Sequence, residues 1–359
     1  MIVTEHSAST GITPKDAGFH MPAEWEHHER TWMMWPSRRG VWPDFHRTKR
    51  AYAAVARAIG EFEPVTVAAC PADVDEARRM LGPAIDVIGI PIDDSWSRDA
   101  GPCFLVDGRG GLAGANFTFN AWGGKYRPYD SDNAFSQAVL AHLGARGFTS
   151  RLVAEGGGIS VDGEGTVLTT ESCFPNANRN PDWTRDQIEA ELMAMLGAEK
   201  VIWLPGDAAE TETDGHVDGI AVFVKPGVVL IEDVGRPGNW AHEVMPENIA
   251  ALRGETDARG RPIELVFIGE AADAPSDSAL FCRSYVNFYF TNGGLVMPCY
   301  GTASDSAAYE VFRELFPDRR IVQLPVNDIA VGGGGIHCIT QQQPAKVSGR
   351  RGTATEARA

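Results

Sequence analysis

Of the six cysteines in this chain, Cys338 is the one whose setting points to chemistry. It follows four successive glycines in Gly332-Gly333-Gly334-Gly335-Ile336-His337-Cys338-Ile339-Thr340. Glycine allows positive φ and close approach of backbone to a ligand, at an entropic cost that ordinary loops avoid. A thiol on such a loop reads as a nucleophile, with Gly334 as a candidate substrate contact; the competing reading is a buried strand cysteine. Upstream, Asp214-Gly215-His216-Val217-Asp218 offers an imidazole flanked by carboxylates. Thiol, imidazole and carboxylate together are a toolkit for covalent catalysis.

His216 and Asp218 are two residues apart, so on an extended chain they share one face. That spacing also suits imidazole and carboxylate as metal ligands, but a third and fourth ligand are not evident from spacing. A satisfied core histidine is another reading. General acid/base work is favoured because histidine titrates near neutral pH. His337 adjoins Cys338, yet neighbours on an extended chain point to opposite sides, which assigns His337 a supporting role.

Asp99, in Trp96-Ser97-Arg98-Asp99-Ala100-Gly101-Pro102, and Glu155, before three glycines, add further acids. Both also suit purely structural turns. Several carboxylates around one thiol are chemically odd, because nearby anions raise a thiol's pKa. A planar guanidinium removes the contradiction: carboxylates accept its N–H groups bidentately while its central carbon faces the sulfur. Trp96, Trp122, Trp32 and Trp35 could wall such a pocket by stacking on a cation, or could equally be core.

The elements that must position these residues recur along the chain. Apolar run, tight turn, apolar run appears four times. The turns are Asp107-Gly108-Arg109-Gly110, Asp162-Gly163-Glu164-Gly165, Lys225-Pro226-Gly227 and Asn292-Gly293-Gly294. The fourth hairpin is expected to start at Tyr285, a fifth to involve the Cys338 region, and Trp32-Met33-Met34-Trp35 to open another unit. Helical periodicity falls between hairpins, over Thr48 to Glu61, Asp73 to Leu81, Asp132 to Leu143, Arg185 to Leu196, Ala241 to Leu252 and Ser304 to Phe316. Hairpins alternating with helices about five times predict an α/β ring of ββαβ units around a central axis, against an ordinary mixed sheet. Polar residues precede each hairpin, so a ring would gather acids, histidine and thiol into one pocket.

The 359 residues, 43% of them hydrophobic and 22% charged, describe an ordinary globular protein. Scattered cysteines without a CxxC pair argue against both a disulfide framework and a zinc site. No apolar run approaches the ~20 residues of a membrane span, and the N-terminus does not read as a secretory signal, which favours the cytoplasm. A net charge of −16 disfavours nucleic acid and anionic membranes and steers cations inward. Residues 1–20 and 345–359 are expected to be a flexible segment and a disordered tail, with one domain over 21–344.

Taken together, the motifs resemble those of the agmatine deiminases, within the bacterial-type peptidylarginine deiminase family. The resemblance runs from Met21-Pro22-Ala23-Glu24-Trp25 through Ser95-Trp96-Ser97-Arg98-Asp99, Asn116 to Tyr126, Glu155-Gly156-Gly157-Gly158, Asn176 to Pro181 and Gly215-His216-Val217-Asp218 to Gly334 through Gln342. It implies a five-bladed α/β propeller, the pentein fold, and hydrolysis of a guanidinium to a ureido group with release of ammonia. By motif position it implies Cys338 as nucleophile, His216 as acid/base, Asp99 and Asp218 as guanidinium-holding carboxylates and Glu155 as a further pocket acid. Asp214, Trp96 and Trp122 are carried as candidate substrate contacts. It implies no metal and no organic cofactor; a homo-oligomer is left open.

Two positions depart from the family pattern: Gly335 and Gly219 stand where asparagine is common. Both remove a polar side chain near the site, which keeps agmatine, peptidyl arginine and free arginine all in play. Free arginine would require a basic partner for its carboxylate, and Lys125 or Arg127 could supply one. Outside the family, an amide hydrolase would want an oxyanion hole and one carboxylate behind the histidine. A noncatalytic binder of cationic guanidines is the reading from another class.

Overall fold

The computed structural model describes residues 11–235, 240–276, 278 and 280–346. Its strands form five small sheets, and four of them repeat one plan: an antiparallel hairpin followed, across a helix, by a third strand parallel to the second. The second blade pairs Cys103–Val106 with Leu112–Thr118, then crosses by the helix Asp130–Leu143 to Arg146–Val153. The third uses Ser160–Val161, Thr166–Thr170 and Lys200–Leu204 with the helix Arg185–Leu196. The fourth uses Ala221–Lys225, Val228–Glu232 and Glu264–Ile268 with Trp240–Leu252. The fifth uses Tyr289–Thr291, Gly294–Cys299 and Arg320–Pro325 with Ser304–Leu315.

The first blade is built from both ends of the chain. His28–Met34 runs parallel to Val65–Ala69 across the helix Phe45–Ile59, and Val65–Ala69 in turn runs parallel to Asp86–Gly89 across Val74–Leu81. Its hairpin partner is Gln341–Pro344, antiparallel to His28–Met34. Trp32 Nε1 donates to Gln343 Oε1 at 2.9 Å across that seam. The first four blades pack each on the next, the fourth and fifth share a buried cluster that includes Val222 and Phe288, and the fifth meets the first through the helix Phe45–Ile59. The result is the five-bladed α/β propeller expected from the repeats.

Local chemistry accounts for the hairpins. At Asp107 a carboxylate oxygen accepts from the backbone of Arg109 (2.8 Å) and Gly111 (2.7 Å). Asp162 does the same for Glu164 and Thr166, both at 2.8 Å. Such a turn needs a left-handed residue near its end, supplied by Gly110 (φ 98°) and Gly165 (φ 106°). Of the crossing helices, Arg185–Leu196 opens on a capping box of Thr184 and Gln187 and closes on Gly197 at φ 65°.

Two expectations change. The fifth blade's first strand starts at Tyr289, not Tyr285, because residues 285–288 leave the ladder and Asn287 turns toward the centre of the ring. Within the segment 1–20, the described residues include a tied stretch. Lys15 N bonds Ala194 O at 3.1 Å, and His20 and Val106 exchange backbone bonds of 2.9 Å. Of the expected tail, residues 347–359 lie outside the described residues, as do 1–10. Among the described residues, no helix is long and apolar enough to cross a membrane.

The fifth blade is sealed by aromatic packing, with Phe288 and Phe312 ring centroids 4.7 Å apart and Phe312 fully buried. Phe312→Ala removes a large buried side chain and is expected to destabilise by about 3–5 kcal/mol. Urea unfolding should show a lowered midpoint, and an unchanged midpoint would disprove this packing.

Candidate active site

Each blade sends an irregular segment toward the ring's centre, and these segments clasp one another in order. Cys338 O accepts from Arg98 N at 3.2 Å, joining the first blade to the second. Asp99 Oδ1 accepts from Gly157 N at 2.9 Å, joining the second to the third. Glu155 Oε2 lies 3.5 Å from His216 Nε2, joining the third to the fourth. Asp218 Oδ2 accepts from Asn287 Nδ2 at 3.2 Å, joining the fourth to the fifth. Asn287 Nδ2 then reaches Cys338 Sγ at 3.2 Å and closes the circle.

Cys338 is buried, its sulfur 3.6 Å from Asp218 Oδ2. Burial is the main force pushing its thiol well above the usual range, and the Asp218 and Asp99 charges add to it. Burial pulls His216 the other way, but Asp99 and its remaining neighbours prevail and hold it well above an ordinary imidazole. Its Nδ1 is 3.9 Å from Asp99 Oδ1, and neither ring nitrogen has a hydrogen-bond partner. Asp99 is fixed by Gly157 N and by Trp122 Nε1 at 2.9 Å on its second oxygen. Burial, with Asp218 and Glu155 opposing His216, raises the Asp99 carboxyl.

Asp218 is treated differently. Burial alone would raise it, but His337 Nδ1 at 2.8 Å holds it below the usual carboxylate range. Behind it, His337 Nε2 meets Glu24 Oε2 at 2.9 Å, and Glu24 pairs with Arg98 at 3.2 Å. Glu24 falls to about 2, because His337 and Arg98 outweigh its burial. With a carboxylate on each ring nitrogen, His337 is held as a cation, raised against its burial and against Arg98. Glu155 is likewise lowered despite burial, by Arg179, whose Nε donates to Oε1 at 2.6 Å.

Cys338, His216 and Asp218 face a shared open cavity of about 450 Å³, within the range of small-molecule sites. Asp99 and Glu155 stand behind His216. Trp96 stacks on Trp42 with centroids 5.6 Å apart and presses on Gly334, where a Cβ would lie 2.4 Å from its ring. Asp214 bonds Lys125, Asn178 and Arg179 at 2.7–2.9 Å and is not among the residues lining the cavity. Its geometry is that of a clamp on Arg179 rather than the expected substrate contact. Trp122 too acts on Asp99 and does not line the cavity.

Sequence reasoning missed Asn287, Glu24, Arg179 and Cys173. Both departures from the family pattern touch the cavity region. At Gly219 no atom lies within 4 Å of the point where a Cβ would stand, so the cavity wall is open there. At Gly335 a Cβ would meet Asn287 Oδ1 at 2.5 Å, so a side chain there requires Asn287 to move.

Residues 20–344 match the family pattern of the Porphyromonas-type peptidyl-arginine deiminases. The chain belongs to this family. It is 46% identical to a relative from Streptomyces avermitilis, covering 92% of this chain and 99% of that one. It is 43% identical to the agmatine deiminase of Stutzerimonas stutzeri, covering 93% and 97%. The solved agmatine deiminase of Enterococcus faecalis superposes with a TM-score of 0.90 at 36% identity, covering 94% and 99%.

Gly157 is where two of these side chains leave no room. A Cβ would sit 2.5 Å from His216 Nδ1 and 2.7 Å from Asp99 Oδ1. Gly157→Ala must displace one or both by about an ångström, and kcat/KM should fall roughly a hundredfold while the melting temperature changes little. Near-normal kcat/KM would show that the placement of this pair is immaterial.

Proposed function

We propose that this chain is an agmatine deiminase, hydrolysing agmatine to N-carbamoylputrescine and ammonia within one catalytic domain over 21–344. The observation that carries the reading is a thiol and an imidazole on one cavity whose outer wall is acidic. Glu210, Glu212, Glu243 and Glu270 line it, against Arg283 and the catalytic His216 as the basic residues among the described lining. A wall of that sign favours a ligand cationic at both ends and repels the carboxylate of free arginine. Lys125 and Arg127, the candidates for that carboxylate, are not on the lining; Lys125 is bound to Asp214 at 2.7 Å. The relatives named agmatine deiminases add to this reading.

In the proposed reaction Asp218, on the cavity wall, accepts guanidinium N–H groups, and Asp99, off the wall beside His216, accepts the others once the group is seated against the imidazole, turning the central carbon toward Cys338 Sγ. The arriving cation offsets the carboxylates that suppress the thiolate, and the thiol proton leaves to water through the open cavity. Sulfur attacks the guanidinium carbon. His216, held protonated by its acidic neighbours, gives its proton to the departing nitrogen, which leaves as ammonia. A covalent thiouronium remains on Cys338. His216, now neutral, takes a proton from water, which attacks the same carbon; the C–S bond breaks with its electron pair returning to sulfur, the hydroxyl proton passes to the thiolate, and the neutral ureido product departs. Glu155 keeps the imidazole in place, and Asn287 donates to the sulfur as it gains charge.

Ammonia release from agmatine, free arginine and a blocked arginine peptide should be fastest with agmatine, and Cys338→Ala should abolish it. Faster release from either arginine compound would overturn the substrate assignment, and near-normal rates in Cys338→Ala would overturn the mechanism. The raised thiol gives a second check. In the free enzyme, iodoacetamide modification of Cys338 should be slow at neutral pH and keep climbing into strongly alkaline solution. A rate that levels off below neutrality would mean a thiolate preformed without substrate.

A further inference from the structure

Behind the catalytic histidine lies a group of side chains that the proposed reaction leaves partly idle. Cys173 Sγ, Glu155 Oε2 and His216 each offer one ligand atom, all within 4.8 Å of one another, and all three residues are buried. Cys173 Sγ is 3.9 Å and His216 Nε2 is 3.5 Å from Glu155 Oε2. Zinc bonds of about 2.0–2.3 Å at tetrahedral angles place such ligand pairs roughly 3.4–3.6 Å apart, so both pairs that include Glu155 lie within a few tenths of an ångström of that spacing.

The surroundings also suit a cation. His216 is 4% exposed, neither ring nitrogen has a hydrogen-bond partner, and Nε2 lies 3.5 Å from Glu155 Oε2, so loss of its proton to an incoming ion leaves a lone pair at the site. Asp99 Oδ1, 3.9 Å from Nδ1, is a carboxylate standing behind the imidazole, the arrangement that orients metal-bound histidines. Asp99 is itself held by Trp122 and Gly157. Arg179 occupies Glu155 Oε1 and leaves Oε2 free to face the other two. His216 alone of the three lines the open cavity, so the ion would enter past its imidazole.

We propose that Cys173, Glu155 and His216 form a binding site for a zinc-type divalent cation, and that its occupation stops turnover reversibly. Binding displaces two protons to water, one from the Cys173 thiol and one from His216 Nε2, and the freed nitrogen lone pair and thiolate bond the ion. The loss of activity rests on the acid/base role proposed for His216; binding itself does not.

The test separates this site from the nucleophile by using Cys338→Ala as the parent. Calorimetry with zinc chloride should give one ion per chain in Cys338→Ala. The double variant Cys338→Ala/Cys173→Ser should bind roughly tenfold or more weakly, with an unchanged melting temperature. Should the serine variant melt early, Cys173→Ala serves in its place. Cobalt(II) should give a thiolate-to-metal absorption band in the parent that the double variant lacks. Zinc should inhibit the native enzyme, and EDTA should restore it. No binding to Cys338→Ala, or binding and a thiolate band that survive loss of Cys173, overturns the site. A cobalt band lost with Cys173, but no zinc inhibition of the native enzyme, keeps the site and overturns inhibition together with the acid/base role of His216.

Discussion

Alternation of charge around buried carboxylates is the constraint on which the centre of this molecule rests. An ionised carboxylate removed from water without a partner is too costly to keep, and the usual escape is protonation. Here the escape is closed for several of them by ladders of alternating sign. One runs Asp218, His337, Glu24, Arg98; the other runs Glu155, Arg179, Asp214, Lys125. Asp99 lacks a full cation of its own beyond His216, and its carboxyl is raised while Asp218 and Glu155 are lowered. The centre is therefore graded: two acids held below the usual carboxylate range and one raised above it, around a thiol that resists ionisation.

The circle of contacts through the blades is the scaffold for that grading. Arg98 with Asp99, Glu155 with Gly157, His216 with Asp218, Asn287, and Cys338 come from five different blades, and each set touches the next in the ring. Positions so shared cannot drift independently. The glycines serve the same end, since a Cβ at Gly157 or Gly334 would collide with His216 or Trp96.

Much of this was legible in the sequence because it is local. The turns Asp107 to Gly110 and Asp162 to Gly165 carry their own hydrogen-bonding chemistry, and the helix at 185–196 coincides with its apolar periodicity. The glycine run marked Cys338, and the His-x-Asp pair marked His216 and Asp218. What escaped was relational. Asn287 reads as a strand residue until the ladder is seen to start at Tyr289. Glu24 precedes any element, and only its distance to His337 gives it meaning. Cys173 lies in a turn region without metal-like spacing, 43 residues before His216, so its approach to Glu155 comes from the meeting of blades. Asp214 shows the converse: a sequence neighbour of His216 whose side chain is spent on Arg179.

The seam between His28–Met34 and Gln341–Pro344 bears on the order of events during synthesis. The thiol at 338 lies three residues before the strand that completes the first blade. A nascent chain acquires that hairpin partner and its sulfur almost together, after every other blade has emerged. Incomplete translation products thus lack both the reactive atom and the closure that would shelter the buried acids, so reactivity and architectural integrity arrive in one late step.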